Sequence, residues 1–339
     1  MKNTGKRAVP KKSTGKMRKF VLALLLVVLM GVGGIYGVAS HYLGQINRVE
    51  NGQEDVIPPE QETFGDSSEE MMNNGSDQPV PEMEGVAPID CSDLINIMLV
   101  GQDRREGQGR QRSDAMILCS INPSTGQVSL ISFMRDLYVR LPGGYSNNRM
   151  NAAYAFGGFQ LLDATLLENF GISVDANLEV DFTGFEAIID KLGGVDVNLT
   201  AAEAQYLGGG CQAGMNHLNG KLALSFARIR KLDSDFGRTG RQREVLLAVF
   251  QKLKGQSLPQ LLDTAQTILP YLTTDMSNGE MIQLATKLFP MLGSVEIQSC
   301  NIPADGTYRS TYVRGMAVLV PDLKANWIKL KDEYLPLSR

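Results

Sequence analysis

From Phe20 to Ser40 no residue carries a charge, and FVLALLLVVLMGVGGIYGVAS at helical rise is about long enough to cross the hydrocarbon core of a bilayer. A transmembrane helix here divides the chain between two compartments. Residues 1–19 carry eight Lys/Arg and no acid, so the positive-inside rule leaves them in the cytoplasm and puts everything after His41 outside. The competing reading is a cleaved signal peptide, since Val38-Ala39-Ser40 resembles a small-residue cleavage site. An apolar run longer than the usual core of about 7 to 15 residues favours the span. The expected location is the cell membrane, single-pass. The basic tail is too short to fold as a DNA-binding module, so no nucleic-acid partner is expected; its lysines set topology and meet anionic lipid.

Residues 41–93 carry thirteen Asp/Glu against one Arg and are broken by Pro58-Pro59, Pro79, Pro81 and Pro88. So few apolar residues cannot offset the entropy of ordering, and a flexible acidic stem is expected. Cys91, Cys119, Cys211 and Cys300 fall outside the membrane, where disulfides are permitted. Their wide spacing makes no metal-binding pattern. Cys119 lies in an apolar run and is expected as a buried thiol, while one bridge among the other three is open.

Ile95 to Gly101, Ala115 to Ile121 and Gln127 to Phe133 are short apolar runs bounded by turn residues, the last two forming a hairpin over Asn122 to Gly126. Helical patterns at 159–170 and 184–192 flank a strand at 178–182, and another strand follows Gly193-Gly194. Arg241 to Lys254 is amphipathic, with Val245, Leu246, Val249 and Leu253 on one stripe. Helices alternating with buried strands predict a three-layer α/β/α domain with a central mixed sheet. That domain is placed at 94–255. Residues 256–339, with helices near 259–270, 278–292 and 321–333 and a strand at 294–299, are expected as an extension packed on it.

The polar segments of this domain concentrate arginine and aspartate. GQDRREGQGRQRSD, at 101–114, places Asp103 after the first strand and Asp114 at the start of the second, with Arg112 just before it. If those strands are neighbours, both carboxylates stand at one end of the sheet, where open α/β sheets hold their sites. Two hard oxygen ligands with phosphate and water suit Mg²⁺. The plainer reading is a salt-bridged surface turn. Arg135 follows the third strand, beside Asp136, and would add positive charge at the same sheet end. In SFARIR, Arg228 and Arg230 are two apart and face one way on an extended segment. Asp235, Arg238, Arg241 and Gln242 follow in a glycine-containing loop running into the amphipathic helix. Guanidinium forks grip phosphate oxygens two at a time, so the three clusters together point to a pyrophosphate.

With only His41 and His217, a Ser-His-Asp hydrolase or a histidine-ligated zinc site is excluded in practice; Gly-x-Ser-x-Gly and the Walker loop are also missing. Phe156, Phe159, Leu161, Leu162, Leu166 and Phe170, with the 241–254 helix, are core by default. A minority lining a slot for a lipid tail is the alternative.

Read in order, INIMLVGQDRREGQGRQRSDAMIL, VSLISFMRDLYVRLPG, MNAAYAFGG, VDFTGFEAIIDKLGGVDV, LNGKLALSFARIR and DFGRTGRQREVL resemble the LytR-CpsA-Psr family of cell-wall proteins. The resemblance implies an extracytoplasmic domain that binds a polyprenyl pyrophosphate-linked glycopolymer with Mg²⁺ and transfers the polymer with its phosphate to peptidoglycan. It assigns the metal to Asp103 and Asp114 and the head group to Arg112 and Arg135. A second phosphate cluster falls on Arg228, Arg230, Arg238 and Gln242, accompanied by Asp235. Arg135, Asp103 and Arg112 would be the catalytic set, with Asp136 orienting Arg135. Asp103 or another carboxylate would take the hydroxyl proton, although a metal-bound aspartate is a poor base. One position departs: the family usually has Pro before the Arg-Asp pair, where this chain has Met134. Two rival functions stay open, a hydrolase using water as acceptor and a non-enzymatic lipid-binding regulator of envelope biogenesis.

Overall fold

Ile97, Leu99, Ile117 and Cys119 point one way from their strands and Met98, Val100, Met116 and Leu118 the other, and each set packs into its own core. Alternation with both faces apolar forces a sheet covered on both sides. The computed structural model describes residues 43–49, 56–61, 84–104, 110–254, 256–288 and 295–338. Phe20–Ser40 lies outside them, and among the described residues no helix is long and apolar enough to cross a membrane.

In chain order a short strand, β1 (Asn47–Arg48), precedes β2 (Ile95–Gln102), β3 (Ser113–Ile121) and β4 (Gln127–Phe133). A small ladder of β5 (Tyr138–Val139) and β6 (Asn148–Arg149) leads into α1 (Met150–Phe170). Next come β7 (Ala176–Asp181), α2 (Phe182–Lys191), β8 (Val195–Leu199), α3 (Ala201–Leu207), β9 (Gly214–Leu218), α4 (Gly220–Ala227) and α5 (Asp235–Lys254). The chain closes with α6 (Leu258–Ile268), β10 (Thr273–Thr274), α7 (Asn278–Leu288), β11 (Glu296–Ile302), a hairpin of β12 (Tyr308–Val313) and β13 (Met316–Pro321), and α8 (Leu323–Lys329). The central sheet is mixed, in the order β1-β10-β7-β2-β3-β4-β11. Helices α1 and α8 cover one face, α5 and α7 the other, as the alternation predicts.

The sequence places α1 only from Phe159, because Gly157-Gly158 interrupts its pattern; the helix in fact starts at Met150 and is kinked at those two residues. Phe156, Phe159, Leu161, Leu162, Leu166 and Phe170 all belong to the core beneath it. Cys119 is buried as expected, its thiol pushed up to about 12 by burial. Cys91, Cys211 and Cys300 are free thiols too, so no bridge joins them.

Two boundaries differ from the sequence reading. Residues beyond 255 are not an add-on: β10 and β11 are strands of the central sheet, β11 pairing with β4 from Glu296↔Gln127 to Ile302↔Phe133. The described parts of the stem pack on the domain. β1 pairs with β10, the Ile57 amide donates to Phe156 O at 2.8 Å, and Ile46 and Ile89 are buried. These are isolated apolar residues in polar surroundings, a pattern with no periodicity to betray it.

The stem's last stretch docks through Gly171, which caps α1 with φ at 71°. The Ile89 amide donates to Gly171 O at 2.7 Å, and Trp327 Nε1 donates to Ala87 O at 2.8 Å. A Cβ on Gly171 would press into the Ala87 carbonyl oxygen. Gly171→Ala is therefore expected to lower stability by about 1–3 kcal/mol in denaturant titration. Hydrogen exchange at the Ile89 amide should quicken, and unchanged protection there would refute the docking.

Candidate active site

β2, β7, β4 and β11 all end at one edge of the central sheet, and antiparallel β3 begins there. Asp103 therefore leaves the sheet just where Asp114 enters it, with Arg135 two residues past β4. The β2–β3 register jumps from Gly101↔Ala115 to Gln102↔Ser113, leaving Asp114 as the extra residue of a β-bulge. A bulge re-aims a side chain that strict alternation would turn to the opposite face. Asp114 and Ala115, neighbours in sequence, accordingly both line one cavity.

Arg135 is the centre of the charge network. Its Nε lies 3.1 Å from Asp235 Oδ2 and 3.5 Å from Asp136 Oδ2, and its Nη1 lies 3.3 Å from Asp114 Oδ1. Burial opposes its charge, but Asp136, Asp235 and Asp114 outweigh that and hold its pKa above the ordinary guanidinium value. Burial raises the Asp136 carboxyl against the pull of Arg135 and Arg149. At Asp235 burial also acts upward, yet Arg238 and Arg135 win and keep it below the usual carboxylate value.

The family resemblance leads one to expect proline at 134, and the structure shows what methionine does instead. The Met134 amide donates to Ile302 O at 2.9 Å, a bond proline cannot make. Its side chain is buried, with Thr239 Oγ1 3.8 Å from the sulfur. The turn that aims Arg135 is thus tied to β11.

The second arginine cluster divides by role. Residues 235–242 are not a loop but the first turns of α5, with the Arg238 amide donating to Ser234 O at 3.2 Å. The turn is tight because Asp233 curls over Gly237, where a Cβ would collide with its carboxylate. Arg241 pairs with Asp233 and, at 2.7 Å, with Glu203 Oε1, and donates to Ile229 O. Arg243 reaches Asn301 and Ser132 Oγ. These two brace the fold. Arg228, Arg230 and Arg238 instead reach the site, although Arg228 caps α4 and is not in a strand.

Between the sheet, α2, α4 and α5 lies a cavity of about 240 Å³. Leu99, Ile117, Leu178, Phe185, Leu224 and Val249 are among its apolar walls, and Asp114, Glu179, Asp181, Arg228, Arg230, Arg238 and Gln242 are its polar ones. From the amphipathic helix stripe, Val245, Leu246 and Val249 do face this space. Arg238 is 2% exposed; its Nη2 meets Asp235 Oδ2 at 3.2 Å while Nε and Nη1 have no protein partner. Its pKa is lowered by burial first and by nearby Arg135 second. Gln242 Oε1 is likewise buried without a partner. Such groups cost free energy unless a ligand meets them.

Asp103 Oδ2 lies 3.6 Å from Arg228 Nη2, and the Arg228 guanidinium stacks over Phe182 at 4.2 Å. Arg230 Nη2 and Arg135 Nη1 meet the same oxygen of Asp114, Oδ1. Two half-exposed carboxylates at one sheet edge are a donor set that fits a hard divalent cation only if phosphate and water complete its shell. Among the described residues no group of three or more potential metal-ligating side chains occurs. Arg112 is half-buried just before β3 and does not line the cavity. Arg149 escaped the sequence reading: it is 4% exposed, sits 3.7 Å from Asp136 Oδ1 and donates to Ala317 O. Only the bareness of NNRMN as a polar turn could have hinted at it.

Comparison with known proteins gives these features a lineage. Polyisoprenyl-teichoic acid–peptidoglycan teichoic acid transferase TagU of Bacillus mycoides is 35% identical over 224 residues, 65% of this chain and 72% of TagU. Regulatory protein MsrR of Staphylococcus aureus is 30% identical over 250 residues, 73% of this chain and 75% of MsrR. A solved structure of TagT bound to LIIa-WTA superposes with TM-score 0.60 at 27% identity, covering 78% of this chain and 100% of that one. YwtF (TagT) with bound octaprenyl pyrophosphate lipid gives TM-score 0.55 at 26% identity over 75% and 97%. The family model of LytR_cpsA_psr matches residues 61–332, and the chain belongs to the LytR-CpsA-Psr family.

Proposed function

We propose that this protein moves a glycopolymer, with its phosphate, from a polyprenyl pyrophosphate carrier to a peptidoglycan hydroxyl, forming a phosphodiester. One observation carries the reading: the cavity is amphipathic in the same sense as the donor. Apolar walls offer room for prenyl, Arg228, Arg230 and Arg238 offer charge for the diphosphate, and Arg238 Nε and Nη1 are unmet donors beside Gln242. The relatives support it, since TagU is named a teichoic acid transferase and TagT has been solved with octaprenyl pyrophosphate and with LIIa-WTA.

The chain's own residues then divide the work. Arg238 and Gln242 bind the phosphate that stays with the prenyl tail, and their burial makes each hydrogen bond to it strong. Arg228 and Arg230 close on the outer phosphate, and Arg135, fixed by three carboxylates, meets the charge that develops on its equatorial oxygens. Asp103 and Asp114 would hold Mg²⁺, which when bound supplies further neutralisation of the diphosphate. The acceptor oxygen bonds to phosphorus, the bridging P–O bond breaks, and the electron pair leaves with polyprenyl phosphate. The hydroxyl proton passes to a carboxylate of the site. No nucleotide is required, because the donor already holds the activated bond. Phe20–Ser40 would hold the domain at the outer membrane surface where such a carrier resides.

Arg135→Ala and Arg228→Ala are expected to keep the fold, the first with reduced stability from the carboxylates it leaves unpaired, and to lose about 10²–10³-fold in kcat/KM; wild-type turnover in either would remove that residue from the mechanism. Octaprenyl pyrophosphate at about 100 times its Kd should add roughly 2.7 kcal/mol of stability to the wild type. Arg238→Ala should show little of this gain, and a full gain would mean the head group binds elsewhere. With Asp103→Asn and Asp114→Asn combined, the response of activity to added Mg²⁺ should vanish; an unaltered response overturns the metal assignment. Products decide against the hydrolase, which releases free polymer phosphate in place of polymer bound to glycan.

A further inference from the structure

A second groove, of about 740 Å³, lies on the other side of the Arg135 network, and its walls include Asp136 and Asp235, the carboxylates that hold Arg135. Its far wall is the β12–β13 hairpin. The pairing puts Val313, Met316, Val318 and Val320 on one face of that hairpin, buried against Tyr138. Strand alternation turns Tyr308, Ser310 and Tyr312 to the opposite face, and all three line the groove. Tyr308 stacks on Phe236 with ring centroids 5.4 Å apart, while Tyr312 is 44% exposed.

The hairpin is registered to the site. The Leu319 amide donates to Asp136 O at 2.9 Å, and Arg149, beside the Asp136 carboxylate, donates from Nε and Nη2 to Ala317 O at 3.1 and 2.9 Å. From these observations we infer that the groove between the start of α5 and the β12–β13 hairpin binds the acceptor glycan. Tyr312 and the Phe236–Tyr308 pair provide faces for pyranose C–H bonds, and Ser310, Asp136 and Asp235 meet its hydroxyls. The inference rests on the transferase reading.

In-line displacement at phosphorus decides for the acceptor over the donor's own polymer. The leaving prenyl phosphate occupies the apolar cavity, so the attacking oxygen must arrive from the opposite side of the phosphoryl group. That side is the one where Asp136 and Asp235 open into the groove. Aromatic walls with a few convergent polar groups are what a neutral, hydroxyl-rich ligand needs.

The test uses the full-length protein in detergent, Tyr312→Ala, which alters an exposed side chain, and Ser310→Trp, which fills the groove. A defined peptidoglycan glycan oligomer and octaprenyl pyrophosphate are each titrated calorimetrically. Both variants are expected to bind the oligomer at least tenfold more weakly and the prenyl pyrophosphate unchanged. Oligomer affinity indifferent to both changes, or no oligomer binding by the wild type, overturns the assignment; so does an equal loss of prenyl pyrophosphate binding. Failure of the transferase reading looks different: the wild type would bind both ligands and form no phosphodiester.

Discussion

One guanidinium, that of Arg135, is held by carboxylates from three separate parts of the chain, and the geometry of the site follows from it. Asp114 comes from the bulge in β3, Asp136 from the turn after β4, and Asp235 from the start of α5. Removing a partner from such a partly buried set leaves charge uncompensated, which costs far more than an exposed pair contributes. The network is also a partition. Asp114 and Arg238 face the apolar cavity, whereas Asp136 and Asp235 face the open groove, so two ligands can approach the same few atoms without sharing a path.

The arginines of the α5 segment show how chemistry and architecture share one sequence motif. Arg238 and Gln242 are one helical turn apart and reach the cavity, and Arg241 and Arg243 turn away to hold α3, β4 and β11. A buried arginine with Ser132 and Asn301 is weak evidence for stability by itself. Here it fixes the helix on the sheet, and with it the aim of Arg238.

Much of this was legible in the sequence because period-two apolar runs report buried strands directly. β2, β3, β4, the β3–β4 turn and the two-sided sheet follow from them, and Asp103, Asp114 and Arg135 fall at one sheet end once those strands are neighbours. What escaped depends on long-range pairing. Nothing local marks Thr273–Thr274 as a central-sheet strand or Arg149 as a clamp on a hairpin far along the chain. The SFARIR segment reached the right outcome by the wrong route: Arg228 and Arg230 face the site together from a helix end, since Ile229 between them is buried. The default of core holds for the apolar residues of α1, whereas Val245, Leu246 and Val249 of α5 line the cavity, because a stripe of apolar side chains does not say whether its neighbour is a core or a cavity.

The Met134 amide bonded to Ile302 O has a temporal consequence. β11 is contributed by residues far downstream of β4, so the strand that orients the key turn emerges late from the ribosome. Contacts of such long sequence separation form slowly and only after the ends of a large loop meet. A nascent or truncated chain would carry every arginine of the site and still lack its aim. The turn that aims Arg135 is therefore fixed only when synthesis is nearly complete.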